Sequence, residues 1–218
     1  LILVDIQNDY FPGGAMELVG SVDAGKNAGL LLSAARKADI PVFHIRHISN
    51  RPGATFFLPG TPGSEIAGPV RPKEGEVVIQ KELPNSFKNT DLLDHLRREA
   101  ITDLIIAGMM THMCIDSTCR AAADLGFSCT LVNDACATRD LSFEGSTISA
   151  AAVQTAFMAA LSSLFARLVP TERMVRELTG PALPCDRMSS LRSSRSFKSF
   201  RIVTSETPNR KLRSCTLT

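Results

Sequence analysis

No stretch of this 218-residue chain approaches the roughly 18–20 consecutive apolar residues that cross a bilayer, so no membrane partner is expected. None of its six cysteines falls in a CxxC pair, and neither a zinc cluster nor a thioredoxin-type motif is indicated. There is no internal repeat and no recognisable nucleic-acid module, so no nucleic-acid partner is expected either. The opening LILVD has no methionine and no basic segment ahead of its apolar run. It reads as a strand entered abruptly, with a few residues expected upstream, and not as a signal peptide. A reducing cytoplasm is then the expected location, with most of the thiols serving as packing.

What is present is an ordinary globular composition, 44% hydrophobic and 21% charged. The net charge of +2 averages two unlike parts. Residues 189–218 hold seven basic residues against Glu206 alone, a net of +6, which leaves −4 for the other 188. The expected division is a folded body over 1–172 and a basic, Ser- and Arg-rich tail over 173–218. The tail has too little apolar content to offset the entropy of ordering it and is expected to be disordered.

The body alternates two periods. Apolar runs with strand character occur at 1–4, 41–48, 76–81, 103–108, 128–132 and 167–171. Helical spacing occurs at 21–38, 90–100, 111–126 and 146–166. Residues 50–75, dense in Gly and Pro, form a long excursion of the kind that often covers a site. Strand and helix in alternation imply an α/β three-layer sandwich, doubly wound on a mostly parallel six-stranded sheet.

In such a sheet ligands bind beyond the carboxyl ends of the strands. Three chemically useful residues stand there: Asp5 after the first strand, Lys81 at the end of the third, and Cys114 in "MMTHMC" after the fourth. Each has a bland alternative, since Asp caps turns, Lys is usually solvated and Cys is usually buried. Their convergence on one sheet edge favours chemistry. A helix N-terminus and an ammonium both favour the thiolate, and Asp5 is placed to accept the thiol proton and return it to a leaving amine. Free N–H groups at the helix start are candidates for binding an oxyanion. Acyl transfer through a thioester is the implied reaction class.

"LILVDIQNDYFPGG", the K-x-x-x-N-S-F of 81–87, "GMMTHMC" at 108–114 and "LVNDACATRD" at 131–140 resemble the isochorismatase-like cysteine hydrolases, a superfamily that includes nicotinamidases and N-carbamoylsarcosine amidohydrolases. The resemblance implies a catalytic Asp5, Lys81 and Cys114 and a cis peptide joining Met109 and Met110. It also implies an oxyanion hole from the N–H groups of Met110 and Cys114, and self-association as a dimer or tetramer. Isochorismatase proper lacks the cysteine, so Cys114 argues for a C–N bond in a small amide or carbamoyl compound. The alternative is a non-catalytic protein that binds a small molecule on the same scaffold.

Nicotinamidases hold a metal with an Asp and several His after the second strand, where this chain reads "FHIRHISNRPG". His44 and His47 are three apart on a strand and point to opposite faces, so no metal and no other cofactor is expected. Substrate-binding candidates are Gln7, Tyr10, Phe11, His47, Phe87 and His112. Gln7, Asn8 and Tyr10 either bond substrate or satisfy loop backbone, and Phe11, Phe56, Phe57 and Phe87 either wall a cavity or fill the core. Arg139 either orients an acidic group or pairs with Asp134 or Asp140. Cys119 is expected to be packing.

Overall fold

The computed structural model describes residues 1–180. Six strands form one all-parallel sheet: β1 (Ile2–Val4), β2 (Phe43–His47), β3 (Val77–Lys81), β4 (Asp103–Met109), β5 (Ser128–Ala137) and β8 (Arg167–Val169). Their order is β3-β2-β1-β4-β5-β8. The chain winds outward from β1 to β3 and then crosses to the other side of β1, so the switch point falls between β1 and β4.

Helices cover both faces. Leu3 and Met109 face a core built with Ala28, Leu31 and Leu32 of α1 (Ser21–Lys37) and Met174 of α5 (Thr171–Thr179). Ile2, Val4 and Ile106 face the other core, with Leu96 of α2 (Leu92–Arg98), Cys119 of α3 (Asp116–Asp124) and Leu161 of α4 (Ala150–Leu164). Strands buried on both sides have no polar alternation, which is why LILV is a continuous apolar run.

Several elements differ from the sequence pattern. The segment expected as one helix from 111 opens with a π-helical turn, Thr111–Ile115, before α3. The first residues of the helix expected at 146 instead form β7 (Ser146–Ile148), antiparallel to β6 (Leu141–Phe143). Helix α4 starts only after Ser149, whose hydroxyl accepts from the Ala152 N–H. Helix α5 runs through the boundary expected at 172, because Met174, Val175 and Leu178 pack on the α1 side of the sheet. The rest of the expected tail, residues 181–218, lies outside the described residues. No helix among the described residues is long and apolar enough to cross a membrane.

The 50–75 excursion is sewn down despite its composition. Asp9 accepts from the Phe57 N–H at 2.6 Å and from the Ala15 N–H at 3.2 Å, while Glu65 O accepts from Asn8 N and Ile6 O from Ala67 N. A side chain at Gly63 would collide with the Asp9 carboxylate. The loop after β1 and the loop after β2 therefore form one layer over the carboxyl edge of the sheet.

Candidate active site

Strand register brings the candidate residues together. His47 and Lys81 are paired neighbours at the ends of β2 and β3, and Val4, just before Asp5, pairs with Gly108, just before the Met109–Met110 bond. Asp5 is left-handed (φ 51), a conformation Asp tolerates, and it turns the chain off the sheet while its N–H still bonds Ile45 O. Gly108 has φ 140 and sits where the β4–β5 register shifts; a Cβ there would collide with the Val4 carbonyl oxygen. The Met109–Met110 peptide is cis.

At the centre lies the Lys81 ammonium, fully buried with Asp5. Nζ donates to Asp5 Oδ2 at 2.6 Å, to Cys114 Sγ at 3.3 Å and to His47 Nδ1 at 3.0 Å. An ammonium has three protons, and each has an acceptor. Taking both charges out of water is costly and is offset only when the remaining bonds are made, as they are here on the lysine side. Burial alone would lower the Lys81 pKa, but Asp5 and Cys114 together hold it above the ordinary value.

The Asp5 side is incomplete. Oδ2 takes Lys81, whereas Oδ1 is buried with no hydrogen-bond partner among the described residues. Cys114 Sγ lies within 4.8 Å of a carboxylate oxygen of Asp5. The sequence pointed to a thiol held toward its thiolate, and the structure corrects this. Burial pushes the Cys114 thiol well above its ordinary value and Asp5 adds to that, with Lys81 opposing. Desolvation at a nearly sealed sulfur outweighs the ammonium and favours the protonated thiol beside the Asp5 carboxylate.

Asp5, His47 and Cys114 also form a cluster with metal-ligand atoms mutually within 4.8 Å. The Lys81 ammonium bonds all three and occupies the place a cation would take. The donor set therefore does not fit a metal. His44 is turned away, as its spacing from His47 requires: its Nε2 meets Glu76 Oε2 at 3.0 Å.

A cavity of about 710 Å³ opens above the cluster, with Cys114, Lys81 and His47 at its floor and Tyr10, Phe56 and Met113 on its walls. That volume suits a small molecule. Met110 also lines this cavity, and Cys114 lies in the turn that follows.

Of the six substrate-binding candidates, Tyr10 and His47 line the cavity. The other four lie elsewhere. Gln7 is spent on backbone: Nε2 donates to His47 O and Ser64 O, both at 2.8 Å, and Oε1 accepts from His47 N at 2.7 Å. It clamps the end of β2. Asn8 likewise bonds Pro62 O. Phe11 packs against the α1 core, Phe87 stacks on Phe127 in the other core, and His112 bonds Thr138 Oγ1 at 2.6 Å. Arg139 is exposed; neither expected partner holds it, since Asp134 bonds Thr171 and Asp140 caps Ala150 N. Cys119 is buried packing. Pattern reading missed the polar rim, notably Asn50, Arg51, Glu82 and Lys88. Its one signal was the start of the 50–75 excursion.

A doubly wound sheet with acid, amine and thiol meeting over its switch point defines a class of α/β sites built around a buried cysteine. Comparison with known proteins gives the family. The isochorismatase domain model matches residues 1–172, and the chain belongs to the isochorismatase family of hydrolases. It is similar to the isochorismatase family protein YddQ of Bacillus subtilis, 48% identical over 176 residues that make up 81% of this chain and 98% of that one. An isochorismatase crystal structure from Pseudomonas putida is 41% identical, with a TM-score of 0.74 over 79% of this chain and 87% of that chain. Nicotinamidase 3 of Arabidopsis thaliana is 27% identical over 83% of this chain and 88% of its own length.

Proposed function

We propose that this hydrolase cleaves a C–N bond of a small amide or carbamoyl compound through a thioester on Cys114. The observation that carries the reading is the half-filled Asp5 carboxylate: one oxygen is pinned by Lys81, the other is buried and unpaired among the described residues, and the carboxylate lies within 4.8 Å of Cys114 Sγ, which lines the cavity. As Sγ attacks the carbonyl carbon, Asp5 Oδ1 takes the thiol proton and the carbonyl electron pair moves to oxygen. The N–H groups of Met110 and Cys114 receive that oxyanion. Its collapse breaks the C–N bond, and Asp5 passes the proton to the departing nitrogen. Water, deprotonated by Asp5, then attacks the thioester and frees the thiol. Lys81 holds the carboxylate in one geometry throughout. Relatives named for nicotinamide cleavage support an amide as the scissile group.

The burial of Cys114, 4% exposed, favours a second reading, a scaffold that binds without cleaving. A screen of small amides, ureas and carbamoyl compounds for ammonia release separates the two. Turnover that disappears in Cys114→Ala supports the hydrolase, and full turnover in that variant contradicts it.

The reading includes self-association as a dimer or tetramer. Residues 145–166 contain no charge, and Phe143 (72% exposed) and Leu164 (70%) stand in solvent on the β6–β7 hairpin and α4; apolar surface of that kind marks interaction sites. Light scattering at micromolar concentration checks it. A cytoplasmic location is part of the same reading, supported by four free buried thiols among the described residues.

A further inference from the structure

The cavity is uneven in charge. At its floor Lys81 is matched by Asp5. Nearer the mouth Glu82 is engaged by Asn50, whose Nδ2 donates to Oε1 at 2.7 Å. Arg51 and Lys88 also line the cavity, and neither has a carboxylate partner among the described residues. The cavity therefore presents more positive charge than the protein itself neutralises.

His47 adds a directed donor on the Arg51 side. An ammonium has no lone pair, so in the 3.0 Å contact Lys81 donates and His47 Nδ1 accepts. Accepting there fixes the tautomer, and the ring proton sits on Nε2. Nε2 has no hydrogen-bond partner among the described residues, and it is not among the side-chain atoms sealed from solvent. Since His47 lines the cavity, that N–H opens into it. The ring stays neutral: burial, aided by the charges of Lys81 and Arg51, lowers its pKa to about 4 against the opposing pull of Asp5. His47 and Arg51, four residues apart where the chain leaves β2, thus form one wall carrying an N–H donor and a guanidinium without a partner.

We propose that this wall is a carboxylate subsite, and that the preferred substrates are small amides or carbamoyl compounds bearing a carboxylate away from the scissile bond. The guanidinium fork and the imidazole N–H together match a planar anion. The proposal rests on the hydrolase reading for the scissile end and adds the chemistry of the other end.

The test compares succinamate with succinamide, two amides of the same length that differ by one charge. Wild-type enzyme is expected to favour succinamate about tenfold or more in kcat/KM, mainly through KM, with the gap narrowing as salt rises. Arg51→Ala is expected to raise KM for succinamate about tenfold, leave kcat for it within about twofold and weaken succinamide several-fold less; Arg51→Lys is expected to recover part of the loss. Equal kcat/KM for the two amides, or an equal loss for both in Arg51→Ala, overturns the subsite while ammonia release leaves the hydrolase reading standing. If neither amide releases ammonia, calorimetry with succinate decides. Binding that weakens about tenfold in Arg51→Ala supports the subsite on a protein that does not cleave these amides, and absence of binding overturns it.

Discussion

Strands β2 and β3 carry a charged cluster at each end, and the two are built differently. At the amino end, Glu76 takes two bonds from Arg36, both at 2.7 Å, one from the Lys73 N–H at 2.8 Å and a contact with His44 at 3.0 Å. At the carboxyl end, Lys81 saturates its three protons on Asp5, His47 and Cys114. Each cluster leaves one buried atom without a partner, His44 Nδ1 and Asp5 Oδ1. The first is the bare nitrogen of a neutral ring that donates through its other nitrogen, and it adjoins no reactive group. The second is an oxygen of a carboxylate, costlier to leave unpaired, and that carboxylate lies within 4.8 Å of a thiol that lines the cavity. One cluster ties strands together; the other is the one that the proposed reaction uses.

The largest expected difference between the ends is in turnover. Cys114→Ala and Asp5→Asn are expected to lower kcat by about 10³-fold or more, whereas Glu76→Gln should leave it within a few-fold. Ammonia release, with circular dichroism to confirm folding, checks all three. Comparable losses at both ends would erase the distinction.

Stability should separate them next. Lys81→Met strands the Asp5 carboxylate in a buried site and is expected to cost about 3–5 kcal/mol in urea unfolding. Arg36→Met, at a cluster nearer the surface, is expected to cost about 1 kcal/mol. A reversal of that order would mean that the amino-end cluster carries more of the fold than its bonds suggest.

The smallest effect concerns pH. His47 has its folded pKa lowered from 6.5 to about 4, mainly by burial. Its contribution is therefore present above about 6.5 and lost as pH falls toward 4, where the unfolded chain binds the extra proton. Glu76 is held at about 2, chiefly by its hydrogen bond from Arg36. Its contribution is present above the ordinary carboxylate value and lost as pH falls through the range from about 4.5 to 2. Unfolding free energies measured across pH 7 to 2 should flatten in the upper window for His47→Asn and in the lower window for Glu76→Gln.

The carboxyl-end cluster was legible in the sequence because strand ends are marked by where apolar runs stop, and an acid, an amine and a thiol stood at three such stops. The sheet and the helix order were legible for the same reason. Direction was not. Gln7, Phe11, Phe87 and His112 are close in sequence to site residues, but their side chains go to backbone clamps, cores or a neighbouring threonine. The β6–β7 hairpin turns at Glu144 and Gly145, both with positive φ, inside a segment whose later residues look helical. Helix α5 was obscured because its polar face merges with the Arg-rich residues that follow. The helix start and the ammonium, which favour the thiolate, are visible in sequence, whereas the burial that pushes the Cys114 thiol up is not. The polar rim of the cavity has no periodicity at all.

The central claim is that Asp5 delivers Cys114 as the attacking group. Rapid acid quenching during turnover of an amide, followed by mass spectrometry of the peptide containing Cys114, tests it most directly. An acyl mass on Cys114 in the wild type that is missing in Asp5→Asn is the predicted result. Steady turnover with no adduct on that peptide, retained in Cys114→Ala, would contradict it.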